Sequence, residues 1–410
     1  MEGRRLPVFV VAAVLVRSMD AGATVAMVLL CSATHLPSPL RTAGVLGAAL
    51  TAPHALGFLV APVLDRARDP RLVVAGAAVA FAVLLGTAGV LLGRVALPVV
   101  VLLVLAAGTT GPLLTGGLSS ILTQGPAGVP TRRLQAVDAV TYGVSGAVAP
   151  LLVAFAASLL LPMGGLLALS LAGASGGLGV LGLPAARGRA AAPGPPGHDV
   201  VGVRAGLAAV WQHRALRRVA LLTWLAAAGV AAAVLAGIGL GEARGAGRGG
   251  WVAGAFGIGN LAGALVLSVL PPSVRPERGM VVLTGLLVPA LLFAVASGGA
   301  IPALLAAYAV LGLVVAPQTM LSLAARGEYA PAAARSSVFV TVAGTKVACS
   351  SAGTAVAGTV VGMGADRLLV GAAGVVAVGV PLVCGVSRSP SRGRPAAARR
   401  GRRSARRLLG

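Results

Sequence analysis

The chain is a series of long apolar runs, each near the ~20 residues that an α-helix needs to cross a bilayer. Short breaks carrying arginine separate them. Runs of this length constrain the fold more than any single motif. In hydrocarbon every backbone N–H and C=O must be satisfied within the protein, which leaves only helices or a closed barrel. Period-two alternation is absent, so the runs read as helices. The expected spans are 7–31, 43–64, 72–93, 96–121, 139–161, 163–183, 219–240, 250–270, 279–298, 300–323, 337–362 and 368–387. Only 10% of the residues are charged and 57% are hydrophobic, whereas a soluble domain carries about 25% charged residues. The 59 glycines let transmembrane helices approach closely. The fold class is therefore all-α integral membrane, with twelve transmembrane helices.

One break is long. Residues 184–199 form a Pro/Ala/Gly linker, followed over 200–215 by Val203, Leu207, Val210 and Trp211 at helical spacing, an amphipathic helix on the membrane surface. The chain divides into a six-helix bundle at 1–183, a cytoplasmic linker at 184–215, a second six-helix bundle at 216–387 and a basic tail at 388–410. Basic residues concentrate in segments that are cytoplasmic if the N-terminus is. Only Arg41, Arg94, Arg244, Arg248 and Arg367 fall in the outer loops, so both termini are expected inside. The net charge of +23 does not imply nucleic acid: the arginine-rich tail lacks aromatics for base stacking and suits anionic headgroups of membrane lipids. A single lysine among many arginines, with excess Ala and Gly, fits a high-GC bacterial genome and hence a bacterial plasma (inner) membrane. Cys31, Cys349 and Cys384 lack metal or disulfide spacing and read as small apolar residues.

The halves echo one another. With an offset of 206, Gly44–Arg71 overlays Gly250–Glu277, matching Gly57 to Gly263 and Pro70 to Pro276, as in transporters built from repeats that rock about a central site. The turn Ala61-Pro-Val-Leu-Asp65-Arg66-Ala-Arg68-Asp69-Pro-Arg71 resembles the G-x-x-x-D-R-x-G-R-R signature of the major facilitator superfamily. Asp65 and Arg66 match it, Ala61 and Arg68 replace its glycines, and Pro271 stands where the second-half acid would fall. Ser145-x-x-x-Ala149-Pro150 is similar to the helix-five G-x-x-x-G-P pattern of the family's antiporters. Gly111-Pro112-Leu-Leu-Thr-Gly116-Gly117 and Asp138-Ala-Val-Thr141-Tyr142-Gly143 resemble efflux members from high-GC bacteria. The resemblance implies two bundles around a cavity, alternating access, proton-coupled efflux of a small amphiphilic compound and a conformational latch at Asp65 and Arg66 near the eleventh span.

Ionisable residues inside spans are costly, ~2.5–3.5 kcal/mol at the bilayer centre. By the span assignment only Asp20 among the acids lies mid-span, with Arg17 three residues earlier on the same helical face. This pair is either a closed structural ion pair or a proton site in which burial and a guanidinium act oppositely on the carboxyl. Lys346, mid-span, either pairs with Asp20 or serves as a cavity cation. Together the three favour anionic, zwitterionic or neutral substrates. Tyr142, Gln318 and Trp224 are further substrate-binding candidates, each equally readable as packing or helix–helix glue. His54 and Asn260 read the same way.

No Walker sequence, catalytic triad or HExxH is present, so neither ATP drive, enzyme activity, cofactor nor metal is expected. The expected partners are a small molecule, protons and lipid, and the working unit a monomer. An uptake symporter and a non-transporting receptor or scaffold of the same fold are the competing readings. Reporter fusions after Val386 and within 184–199 should both report cytoplasm; an external signal from either overturns the topology.

Overall fold

In a computed structural model of the chain, residues 5–34, 36–57, 64, 67–123, 131–183, 200–269, 275–331, 335–360 and 364–385 are described. The ordered elements are α1 (Arg5–Ala33), α2 (Pro39–Thr51, tightening into a 3₁₀ turn at Ala52–Leu56), α3 (Pro70–Leu91), α4 (Leu97–Pro112), α5 (Leu118–Thr123) and α6 (Thr131–Val180). After them come α7 (Val200–Gln212), α8 (Arg214–Ala243), α9 (Arg248–Val269), α10 (Pro276–Ala296), α11 (Ile301–Tyr329), α12 (Arg335–Val360) and α13 (Ala365–Gly385). The protein is a multi-pass, all-helical membrane protein. Among the described residues nine helices are long and apolar enough to cross a membrane. The remaining expected spans are helical over Pro39–Leu56, Arg335–Val360 and Ala365–Gly385. Large apolar side chains such as Leu72, Leu102, Leu171 and Val282 point outward, as lipid contact requires. The linker at 184–199 and the tail at 388–410 lie outside the described residues.

Prolines set the breaks. Pro112, which has no N–H to donate, ends α4 and is followed by a single π turn at Leu113–Gly117, so the fourth expected span bends in its second half. In α6, Leu161 takes φ 67°, a value uncommon for a non-glycine residue. Pro162 follows and disfavours helical geometry at the residue before it. The chain thus reverses between the fifth and sixth expected spans with no loop. Where a surface helix is expected, α7 buries Val210 against α8 and α12 and leaves Leu207 and Trp211 exposed.

Within the first half, α1 and α3 pack on α6, and α4 packs on α2 and α3. In the second half, α9 and α10 pack on α11, and α12 and α13 pack on α8. The halves meet along α2–α12 and α6–α9. The repeat is visible in the packing. A methyl group on Gly57 would touch Pro112 at 3.3 Å and one on Gly263 would touch Pro317 at 3.0 Å. A methyl on Gly108 would run into the Leu50 carbonyl, and one on Gly312 into the Phe256 carbonyl. Pro70 and Pro276, matched in the sequence overlay, each open a helix where a missing N–H costs nothing.

Asp69 caps α3. Its Oδ1 accepts from the Arg71 amide at 3.0 Å, and its carboxylate pairs with the Arg71 guanidinium at 2.6 Å. That hydrogen bond holds the carboxyl below its ordinary range, keeping the cap charged. Arg71 also donates to the Leu181 and Leu183 carbonyls past the end of α6, tying the two helix ends together. Asp69→Ala should cost about 1 kcal/mol, read as a lower thermal unfolding midpoint in detergent, while Asp69→Ser should retain most of the cap.

Candidate functional site

Arg17 sits in the middle of α1 with only 2% of its surface exposed. Its guanidinium faces α5 and α6, not the next turn of its own helix. Nη2 pairs with Asp138 Oδ1 at 2.7 Å and donates to Ser119 Oγ at 2.9 Å, and Nη1 donates to the Asp138 carbonyl at 3.1 Å and to Thr141 Oγ1. The widened turn after Pro112 contributes the Thr115 carbonyl at 3.4 Å. Ser119 Oγ donates to Asp138 Oδ2 at 2.7 Å, and the guanidinium lies 3.6 Å from the centroid of the Tyr142 ring. Both carboxylate oxygens and most of the guanidinium are engaged, as a buried pair requires if attraction is to offset desolvation.

This corrects two sequence expectations. Asp138, expected at the entry to the fifth span just before 139, lies about two turns inside α6, which begins at Thr131. Nor does Asp20 pair with Arg17. Asp20 Oδ1 lies 3.4 Å from His54 Nε2, on the 3₁₀ turn that ends α2. Gly111 makes room for that imidazole, since a methyl group there would collide with the ring. Lys346 does not bond Asp20 either; its Nζ donates to Thr319 Oγ1 at 3.3 Å.

A cavity of ≈ 390 Å³ lies between the halves. The first half lines it with Thr24 of α1, Thr51 of α2, and Gly146 and Pro150 of α6. The second half contributes Val230 and Leu235 of α8, Phe256 of α9, Gln318, Thr319 and Ser322 of α11, and Lys346 and Ser350 of α12. Small and aliphatic side chains dominate, with a few polar groups among them, as in small-molecule sites generally. The Asp20–His54 contact lies one turn from the lining residues Thr24 and Thr51.

Of the sequence candidates, Lys346 and Gln318 line this cavity, and Gln318 also donates to Thr284 Oγ1 at 2.7 Å. Tyr142 and Trp224 do not line it. Tyr142 covers Arg17, and Trp224 packs beside the α7 contact. Ser145 donates to the Val14 carbonyl at 3.1 Å, Ala149 is fully buried, and Pro150 reaches the cavity. The antiporter-like segment thus joins α1, α6 and the cavity wall. Asp65 and Arg66 lie outside the described residues. Sequence reasoning missed Arg326, assigned to an inner loop; it is 3% exposed within α11.

No family model matches the chain, and no curated protein sequence matches it. Solved structures match over nearly its whole length. A point mutant of the nucleoside transporter NupG has a TM-score of 0.78 at 14% identity, covering 93% of this chain and 99% of that one. A POT family transporter in complex with 5-aminolevulinic acid has a TM-score of 0.67 at 12% identity, over 93% and 96%. A bacterial homologue of the iron transporter ferroportin, in its inward-facing state, has a TM-score of 0.64 at 15% identity, over 95% and 100%. The chain has the fold that these transporters share.

Removing one partner of a buried pair typically costs about 3–5 kcal/mol. Asp138→Ala should therefore lower folded yield and unfolding temperature sharply by stranding Arg17. The double change Arg17→Met with Asp138→Leu should recover most of the loss, and Asp20→Asn should have a much smaller effect on the same thermal measurement.

Proposed function

We propose that the chain is a secondary active transporter of the major facilitator type, a monomer with twelve spans and both termini inside a bacterial plasma membrane. It carries a small amphiphilic compound by alternating access between its two halves. The observation that supports this most directly is the cavity itself: both halves line it, and it is mostly apolar with a few polar groups among small and aliphatic side chains. Export is the favoured direction, from the antiporter-like segment at Ser145, Ala149 and Pro150. The turn at Asp65 and Arg66 acts in this reading as the latch between conformations.

Coupling to protons is assigned to Asp20. Asp138 is held by Arg17 and Ser119, and its protonation would sacrifice that whole network. Asp20 has a single ion-pair contact among the described residues, with His54, and is more exposed than Arg17, so it can exchange a proton at smaller structural cost. Arg17 then sets the positive field behind Asp20 without bonding it, and Lys346 supplies a second cation from the cavity wall. The proton can bias the two conformations only if Asp20 interacts differently in each; making and breaking the His54 contact supplies that difference.

In inverted vesicles with an imposed pH gradient, Asp20→Asn should abolish uphill transport while allowing downhill exchange of substrate. Normal uphill rates with unchanged pH dependence in Asp20→Asn would remove Asp20 from the mechanism. Flux driven inward across intact cells by the same gradient would instead make the protein an uptake symporter using the same residue.

A further inference from the structure

The charges of the two halves are not balanced alike. In the first half the buried cation has a carboxylate partner, Arg17 with Asp138. In the second half Arg326 of α11 and Lys346 of α12 have none among the described residues. Among the described residues no carboxylate oxygen lies within 4.0 Å of Arg326 or Lys346. The neighbouring acids turn elsewhere: Glu328 is exposed, and Glu277 accepts from Tyr329.

The antiparallel register sets the two cations about two turns apart on neighbouring helices. Thr319 meets Lys346, and Arg326 lies 5.9 Å from the centroid of the Phe339 ring. Seven residues on each helix separate the two contacts, and Ser322 lies between them. Helical side chains lean toward the N-terminus of their own helix, so on antiparallel helices Arg326 and Lys346 lean toward each other. Arg326 does so visibly, with Nη2 donating to Ser322 Oγ at 2.8 Å.

The hydroxyls between them are already spent. Thr223 donates to the Val219 carbonyl at 2.7 Å. The 2.8 Å contact between Thr223 and Ser322 therefore takes its proton from Ser322, whose oxygen accepts from Arg326. Arg326 Nε is buried with no acceptor. Thr319, Ser322 and Lys346 line the cavity, and Arg326, with its unanswered donor, bonds the lining residue Ser322 without lining the cavity itself. Leaving such groups unpaired in a low-dielectric interior is costly, and what would answer them is an anion.

We propose that this end of the cavity binds the carboxylate of an apolar organic acid between Lys346 and Arg326, with the acid's hydrocarbon body against Val230, Leu235 and Phe256. A planar guanidinium suits a carboxylate, and the aliphatic remainder of the cavity suits an uncharged body. This names a substrate class for the transporter reading and rests on that reading for its use, but binding is measurable without transport.

The test is binding of three matched probes to the full chain in nanodiscs by calorimetry: 4-phenylbutyrate, 4-phenylbutanol and 4-phenylbutylammonium. The carboxylate should bind at least tenfold more tightly than the alcohol, and the ammonium more weakly still. Lys346→Gln and Arg326→Gln should each weaken 4-phenylbutyrate at least tenfold and leave the alcohol within about twofold. Should Arg326→Gln fail to fold, Lys346→Gln and the wild-type probe ranking decide alone. Equal affinity for carboxylate and alcohol, or preference for the ammonium, overturns the proposal. Carboxylate binding without flux in vesicles leaves this site standing and removes the transporter reading. Flux of the alcohol or the ammonium without carboxylate preference does the reverse.

Discussion

A charge carried into hydrocarbon has no solvent to fall back on, and the interior of this bundle is organised around that constraint. Both terminal nitrogens of Arg17 are answered, by a carboxylate, two hydroxyls, backbone carbonyls and an aromatic face drawn from α5, α6 and the turn after Pro112, and only its Nε is left without an acceptor. Those contacts fix how α1 sits against its neighbours. They also commit Asp138 to Arg17, which leaves Asp20 free to meet His54. The proton-carrying role proposed for Asp20 depends on this division of labour between two carboxylates in one half of the molecule.

Packing between helices rests on a second economy. Lipid gives helices no hydrophobic reason to associate, so close contact must come from shape. Glycine against a carbonyl recurs at Gly108 with Leu50 and at Gly312 with Phe256, and glycine against proline recurs at Gly57 with Pro112 and at Gly263 with Pro317. The duplicated contacts join equivalent helices in each half. Between the halves, Gly44 meets Gly358 backbone to backbone, and Gly257 meets the Gly146 carbonyl. A surface with few protruding side chains suits the sliding or tilting that alternating access, as proposed, would require.

Helix existence was legible in the sequence because apolar run length is dictated by the bilayer, and the loopless break at Pro162 was placed within a residue. Site membership was less legible, because hydropathy marks where an apolar run starts and not where a helix starts. The fifth span read as beginning at 139, yet its helix begins at Thr131 and takes Asp138 inside. The tenth read as ending at 323, yet α11 continues to Tyr329 and buries Arg326. Arg17 and Asp20 were paired by spacing, but three residues along a helix still leave a turn of about 60° between side chains, enough for one to face α6 and the other α2. The repeat showed only as scattered glycine and proline matches, because these contacts select for small volume and not for sequence identity.

Because the chain reverses at Leu161–Pro162 without a loop, the two arms of α6 form a bell crank. One arm lies along α9 in the opposite half, with Ala154 and Leu151 filling the space beside Gly250 and Gly254. The other is keyed into its own half, where Met19 fits against Gly173, Leu15 against Gly176 and Ala78 against Gly177. No slack segment separates them to absorb a displacement. In the alternating motion proposed above, a tilt of the second half against the first arm would be passed to the second arm and to α1, which packs on it and carries both Arg17 and Asp20.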